Sequence, residues 1–300
     1  LKLLLNKYKN NILDFFKQYL PSVLISGVIT INKLFIFWLA TFYLSSVSYL
    51  YYADRIFELP HSILSISIAT VLLPNIANLI IKNDFQSAIL IQQKSFIFTV
   101  YFILPISFFL FFFPNIIVEL LFERGNFTNY SSEKTSEYLK GLSLGILPYS
   151  LSVILIPFFF AIKKLKEILI LSIIIIFVNI LLTYIFTLFY DSVGITYGFS
   201  LTTWIFAIAI YFIMVRYNFN FIDLKTLFKI IKYLFFSIIL IIFLYFFDIF
   251  LSNFISIEFI NYLFIIIIGS LFYLILTFVF DREISNNLLN ILKIAKSNNE

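Results

Sequence analysis

Apolar residues in this chain form long unbroken runs instead of the one-sided stripes that mark the helices of soluble proteins. Eight runs approach the roughly 20 residues that a helix needs to cross a hydrocarbon layer about 30 Å thick. They cover 21–44, 59–81, 95–113, 138–162, 168–190, 193–215, 227–247 and 259–280. Backbone groups in lipid must hydrogen-bond within their own segment, so even the β-branched runs are expected to be helical. The pattern predicts an all-α, polytopic membrane helix bundle with about eight transmembrane helices.

The composition agrees with a membrane protein and excludes several soluble classes. Hydrophobic residues make up 62% of the 300 positions and charged residues 12%, against roughly 45–50% and 25% in soluble domains. Too little polar surface exists to cover a water-soluble core. A net charge of only +5, spread along the chain, argues against a nucleic-acid partner. The absence of cysteine excludes disulfides and thiol chemistry.

The basic residues predict which way the helices run. With eight spans, both ends fall on one side of the membrane, and that side holds 16 of the 21 Lys and Arg residues. The positive-inside rule therefore places both termini in the cytoplasm. The segment 1–20 is basic, amphipathic and unlike a signal peptide, so we expect it to be cytoplasmic, as is the polar tail 281–300. Because position 1 is Leu, we also expect that earlier spans are missing.

Lys33 breaks the membrane pattern because it lies inside the first span. At 1.5 Å per residue it sits roughly 17 Å from either end of 21–44, too far for its stem to reach the interface easily. A charge at that depth costs roughly 2.5–3.5 kcal/mol on insertion scales. Either Lys33, next to Asn32, faces a water-filled cavity, or its position reflects an interhelical hydrogen bond or a misplaced span boundary.

A second break is the charged sequence YYADRIFELP at 51–60. In a helix, Asp54, Arg55 and Glu58 share one face. Pro60 should kink or break that helix, and broken helices at membrane depth often mark transporter sites. The alternative is an interfacial salt-bridge cluster with a helix that starts at the proline. His61, the only histidine, is expected to be a polar neighbour of Glu58.

A third break is the lysine-rich turn KKLK at 163–166. The positive-inside rule accounts for it unaided, and a basic gate for phosphate groups is the alternative.

The longest outer connection, 114–137, predicts a surface helix and a turn. No P-loop, HExxH motif or acid pair in a sizeable loop is present. We therefore expect no catalytic residue, no cofactor and no metal site.

The order of several motifs resembles the MurJ/MviN family of bacterial lipid II flippases, in the MOP exporter superfamily. The matching segments are YYADRI at 51–56, ELP at 58–60, IATVLLP at 68–74, LFERGNFT at 121–128, Leu144-Gly145, and GITYGFSLT at 194–202. The resemblance implies a C-terminal portion of the family fold: a six-helix lobe at 21–216 and two additional helices at 217–280. It also implies that the missing half contributes to a central cavity.

The resemblance further implies a function and a set of site residues. The chain would help to flip lipid II from the inner to the outer leaflet of the bacterial cytoplasmic membrane, by alternating access around a cationic cavity and without an enzymatic reaction. The partners would be lipid II and membrane lipids, with the coupling ion left open. The family motif maps substrate contacts onto Ser48, Asp54, Arg55, Glu58 and Lys166; Lys33 joins them by its burial alone.

Two departures and two alternatives accompany this reading. The Thr-Pro that often follows the family's lysine is Glu167-Ile168 here, and a position that often holds Asp or Asn is Ile36. One alternative is another exporter of the same superfamily, for drugs or a different polyprenyl-linked glycan. The other is a membrane glycosyltransferase, which would need catalytic groups in an external loop.

Overall fold

The computed structural model describes residues 23, 25, 27, 30–252 and 258–281. The predicted segment 1–20 and the tail after Asp281 lie outside this part of the chain. The described residues are helical, and the helices are α1 Thr30–Ala40, α2 Ser46–Pro60, α3 Ser67–Ile81, α4 Phe85–Phe112, α5 Pro114–Phe122, α6 Asn129–Ala161, α7 Leu165–Tyr190, α8 Gly194–Arg216, α9 Leu224–Ser252 and α10 Glu258–Phe280.

The helices confirm the predicted all-α membrane bundle. Within the described residues, six helical stretches are long and apolar enough to cross a membrane, and one of them, Leu165–Arg216, contains both α7 and α8. Because that stretch holds two helices and the shorter α1 adds one more, the described part of the chain has eight membrane helices. Helices α2 and α3 count as one because they join, and the nine-residue surface helix α5 is not counted. The predicted surface helix in 114–137 is α5. The predicted turn is shorter than expected because α6 already begins at Asn129.

Of the kink or break expected at Pro60, the break does not occur. One continuous helical stretch runs over Ser46–Ile81, and a π-helical turn at His61–Ile66 joins α2 to α3. Pro60 has no backbone N–H to donate, and its ring displaces the carbonyl one turn earlier. A wider π-turn changes the hydrogen-bond pattern without ending the helix. The span therefore starts at Ser46 instead of 59, and the charged cluster at 54–58 lies on it.

Helix α6 forms the centre of the bundle and packs against α2, α3, α4, α5 and α8. Glycines permit its closest approach to α8. A Cβ atom added to Gly141 would lie 1.9 Å from the Thr196 hydroxyl oxygen. Gly198 allows the same close approach of α8 to α7, because a Cβ at this position would lie 2.5 Å from the Thr183 Cα. Small residues thus bring these three backbones together.

The last two helices, α9 and α10, pack against each other and α9 packs against α4. Buried hydroxyls fasten them: Tyr273 donates to the Tyr101 carbonyl at 2.9 Å, and the Tyr101 hydroxyl lies 2.9 Å from the Thr277 hydroxyl. Between the three helices lies an apolar groove of about 280 Å³.

At the start of α4, Asp84 accepts a hydrogen bond from the Ser87 backbone N–H, and contacts with Ser87 lower the pKa of that carboxyl.

Candidate functional site

The candidate site begins with Lys33, which crosses from α1 to two carboxylates on α2. Its Nζ lies 2.7 Å from the Asp54 Oδ2 and donates a hydrogen bond to the Glu58 Oε1. The two acids stand one helical turn apart, so both reach the same ammonium group. The structure therefore gives Lys33 an interhelical ion pair, which was one of the two readings of its position.

Arg55 completes a cluster of four charges, which we call the charge cluster: Lys33, Asp54, Arg55 and Glu58. The Arg55 Nη1 lies 2.8 Å from the Glu58 Oε2, so the predicted shared face of the three α2 residues is confirmed. Two cations and two anions balance each other. Taking an unpaired charge into a membrane is costly, and mutual neutralisation reduces that cost.

The members of the charge cluster differ in exposure. Asp54 is only 8% exposed, whereas the side chain of Arg55 is 50% exposed. Among the described residues, the guanidinium bonds to Glu58 through one nitrogen and stacks 4.7 Å from the centre of the Tyr51 ring. Its remaining N–H groups make no hydrogen bond within the described part of the chain. Arg55 is thus held at one edge and can offer a planar donor fork to an anion.

A small cavity of about 70 Å³ lies beside the charge cluster. Lys33, Asp54 and Glu58 form one side of it, and His61 and Tyr149 form another. The His61 ring is 8% exposed and lies 4.7 Å from the centre of the Tyr149 ring. Its Nδ1 is buried and has no hydrogen-bond partner in the described part of the chain. The imidazole therefore lies near Glu58, as expected, but does not bond to it.

A second cavity, of about 80 Å³, shares Asn32, Tyr149 and Phe199 with the first. Its lining is mostly apolar, with a few serine and threonine residues from α6, α7 and α8. Next to it, Asn179 donates to the Asn32 side chain at 2.7 Å and accepts from Thr183 at 3.1 Å. This amide chain fastens α1 to α7. Among the described residues, no group of three or more His, Cys, Asp or Glu side chains could hold a metal ion.

Two further predicted site residues lie apart from the charge cluster. Ser48 is exposed near the start of α2, six residues and so roughly 9 Å along the helix from Asp54. Lys166 is exposed in the first turn of α7 and lines neither cavity. The structure thus brings together four of the six predicted residues and leaves these two separate.

Sequence reasoning missed the acidic partners of Lys33 and the second cavity. A usable signal was present: a lone cation in one span, followed by two acids one turn apart on the next. That pattern favours an ion pair between neighbouring helices. No sequence pattern indicated that the Nδ1 of His61 would lack a hydrogen-bond partner among the described residues, because this depends on how α2, α6 and α8 pack.

Exposed polar residues also occur along α3, beside exposed apolar residues such as Ile66 and Val71. Ser67, Thr70 and Asn75 are exposed, and each donates a hydrogen bond to a carbonyl of its own helix. These bonds lower the cost of holding polar groups in a membrane helix. The most apolar 18-residue stretch of Ser46–Ile81 is only 17% buried. A membrane-length helix with an exposed polar face is suited to lining a water-filled space.

Comparisons with known proteins concern the family and the fold of the chain. The family model described as "Lipid II flippase MurJ" matches residues 1–265. A "Probable lipid II flippase MurJ" from Helicobacter pylori strain J99 is 41% identical over 150 residues, covering 49% of this chain and 32% of that protein. The aligned part of this chain therefore spans about a third of the length of that relative.

Two solved structures share the fold. One, described as "Lipid II flippase MurJ, inward closed conformation", matches with a TM-score of 0.76 and 28% identity, over 92% of this chain and 56% of that one. The other is an outward-facing multidrug resistance MATE family transporter of the MOP superfamily, with a TM-score of 0.55 and 18% identity, covering 77% of this chain and 54% of that one. The second likeness concerns the fold alone.

Proposed function

The chain belongs to the MurJ family of lipid II flippases, and on this premise we propose that it forms one side of a flippase that carries lipid II from the inner to the outer leaflet. It is a multi-pass protein of the bacterial inner membrane. The exposed polar face of α2 and α3 would line the transport cavity. A second helical bundle, on the same polypeptide or another, would form the opposite wall.

The physical task explains why such a cavity is needed. Lipid II joins a large polar head to a long apolar tail through a pyrophosphate. Moving that head through hydrocarbon would remove its charges from water, at a cost of many kcal/mol. A polar cavity solvates the head while the tail stays in lipid. Alternating access then opens the cavity to each side in turn, so no covalent bond is made or broken.

The half-exposed guanidinium of Arg55 is the observation that carries this proposal. Its planar fork can bond two phosphate oxygens at once. Glu58 fixes one edge of the fork, and the Lys33 contacts hold Asp54 and Glu58 in place. Lys33, Asp54 and Glu58 would position Arg55, and Lys33 could also reach the anion. Ser48 and Lys166 would contact the head along its path.

The same proposal covers orientation and organisation. Both termini would be cytoplasmic, with 21–216 as the transport lobe and 217–280 as two appended helices. Cysteine labelling can test this cleanly, because the chain has no native cysteine. Asn129→Cys should react with an impermeant reagent in intact cells. Reaction only after lysis would reverse the orientation.

Another MOP exporter remains the competing function. The fold resemblance to a MATE transporter supports it only at the level of architecture. A glycosyltransferase has less support, because the described residues between helices form no sizeable external domain. The two exporter readings differ in substrate, so an assay for lipid II itself separates them.

The test is Arg55→Lys in cells where the complete protein carrying this chain is the sole lipid II flippase. Lysine keeps the charge and loses the bidentate fork. We expect outer-leaflet lipid II, measured by its cleavage with an externally added hydrolase, to fall at least about tenfold, as for a loss of roughly 1.4 kcal/mol. Arg216→Lys, at the exposed end of α8, is the matched control. Normal lipid II export with Arg55→Lys would contradict the proposal.

A further inference from the structure

His61 is a buried titratable group that the proposed transport step does not use. It is the only histidine of the chain and the first residue of the π-helical turn. Its ring packs between Phe57 and Tyr149, with centroids 6.0 and 4.7 Å away. The buried Nδ1 has no partner among the described residues. A nitrogen in this position can accept a proton without first giving up a hydrogen bond there.

The surroundings of His61 hold charges from two neighbouring helices. Lys33 faces the shared cavity from α1, and Asp54 and Glu58 face it from α2. Tyr149 is the titratable group from α6, and α8 contributes the uncharged ring of Phe199. The cavity of about 70 Å³ has room for one or two water molecules, at roughly 30 Å³ each. Water could therefore deliver a proton to the imidazole.

The charge balance determines what that proton would do. The charge cluster is neutral as it stands, with Lys33 and Arg55 opposite Asp54 and Glu58. An imidazolium at His61 adds one positive charge. The carboxylate best placed to compensate it is Glu58, which lies one turn earlier on the same helix. Glu58 would then be shared by three cations, so its bond to Lys33 should weaken.

We infer that His61 is a proton-binding site whose occupancy releases Lys33 from Glu58 and loosens the contact between α1 and α2. The π-helical turn suits this role, because such turns are frequent at functional sites and at points where helices change their hydrogen-bond pattern. Histidine is also the side chain whose charge changes near neutral pH. The link from this site to lipid II transport rests on the proposed function, but the site itself does not.

The first experiment measures the proton and the helix contact without any transport. The full 300-residue chain, labelled with 13C-histidine in nanodiscs, contains a single imidazole. Its NMR signal should shift as the pH is lowered and the imidazole takes up a proton. Spin labels at Leu34→Cys and Leu59→Cys, both exposed positions on α1 and α2, should report a longer and broader distance once the imidazole is protonated.

Two variants test whether His61 is responsible. His61→Phe keeps the aromatic packing against Phe57 and Tyr149, and His61→Gln keeps a polar group; neither can titrate. The pH-dependent distance change should disappear in both. The inference is overturned if the wild-type distance does not change with pH, or if the change persists in a folded variant.

A transport assay separates this inference from the proposed function. In the complete protein, His61→Phe should remove the pH dependence of outer-leaflet lipid II while the wild type retains it. A pH-dependent distance in a protein that exports no lipid II at any pH would overturn the proposed function and leave the proton site standing. Normal export with pH-independent distances would overturn the proton site alone.

Discussion

Helix α6 and the helix made by α2 and α3 both cross the membrane, both contain proline, and use their polar groups in opposite ways. In the most apolar stretch of α6, 67% of residues are buried, against 17% in the Ser46–Ile81 helix. Side chains on neighbouring helices donate to α6 carbonyls: Ser107 donates to Ser143, Ser200 to Gly141, and Gln92 to Ile154. On α3, the exposed Ser67, Thr70 and Asn75 donate within their own helix.

This difference separates polar groups that hold the bundle together from polar groups that are available to a ligand. A hydrogen bond between helices fixes their distance and register. A hydrogen bond within one helix satisfies the side chain and leaves its face open. The open face of the α2–α3 helix also carries charge, at Arg55. We therefore expect mutations on α6 to act mainly on stability and mutations on the exposed face of α2 and α3 mainly on transport.

The largest effect on stability is expected from Gly141→Ala on α6. The new methyl group would lie 1.9 Å from the Thr196 hydroxyl oxygen and 2.8 Å from its Cβ, so α8 has to move. Overpacking of this kind costs about 1–3 kcal/mol. The apparent Tm of the detergent-solubilised chain should fall accordingly. Gly27→Ala is the matched control, because no atom of the described residues lies within 4 Å of its added Cβ.

Equal Tm values for these two alanine variants would show that the close contact between α6 and α8 does not limit the stability of the bundle. The comparison with α2 and α3 would then have no basis, because the closest helix contact of α6 would tolerate extra volume.

An intermediate effect is expected from Lys33→Met in the charge cluster. Removing the ammonium leaves Asp54 and Glu58 without their interhelical cation, which is costly when a pair is buried. The Lys33 side chain is 41% exposed and that of Glu58 31%, so solvent reduces the cost to about 1 kcal/mol. A double-mutant cycle with Glu58→Gln should show a coupling of about 0.5–1 kcal/mol. Additive effects would mean that the bridge does not hold α1 against α2.

The sequence predicted the membrane helices well and their beginnings poorly. Hydropathy detects the apolar centre of each span, but the predicted span began at 59, although α2 starts at Ser46. The shared face of Arg55 and Glu58 follows from helical spacing alone. The partner of Lys33 follows less directly, because the two acids one turn apart can reach it only if α1 packs against α2. The Asn32–Asn179 bond joins residues 147 positions apart, and no local pattern predicts such a pair.

The smallest effects come from two serines that sharpen the comparison. Ser200 on α8 is buried and donates to the Gly141 carbonyl of α6 at 2.7 Å. Interhelical hydrogen bonds in membranes are worth about 0.6 kcal/mol on average, so Ser200→Ala should lower stability by about that amount. Ser67 is exposed and donates to the Ile63 carbonyl of its own helical stretch at 2.6 Å. That carbonyl keeps its backbone environment when the hydroxyl is removed, and Ser67→Ala should change stability by less than about 0.5 kcal/mol.

Both variants are compared by reversible unfolding in the same detergent, and both are then assayed for lipid II export. A larger stability loss for Ser67→Ala than for Ser200→Ala would show that the α3 face is packed. An exposed face that lines a transport cavity has to give the reverse order, because its serine has no neighbouring helix to lose.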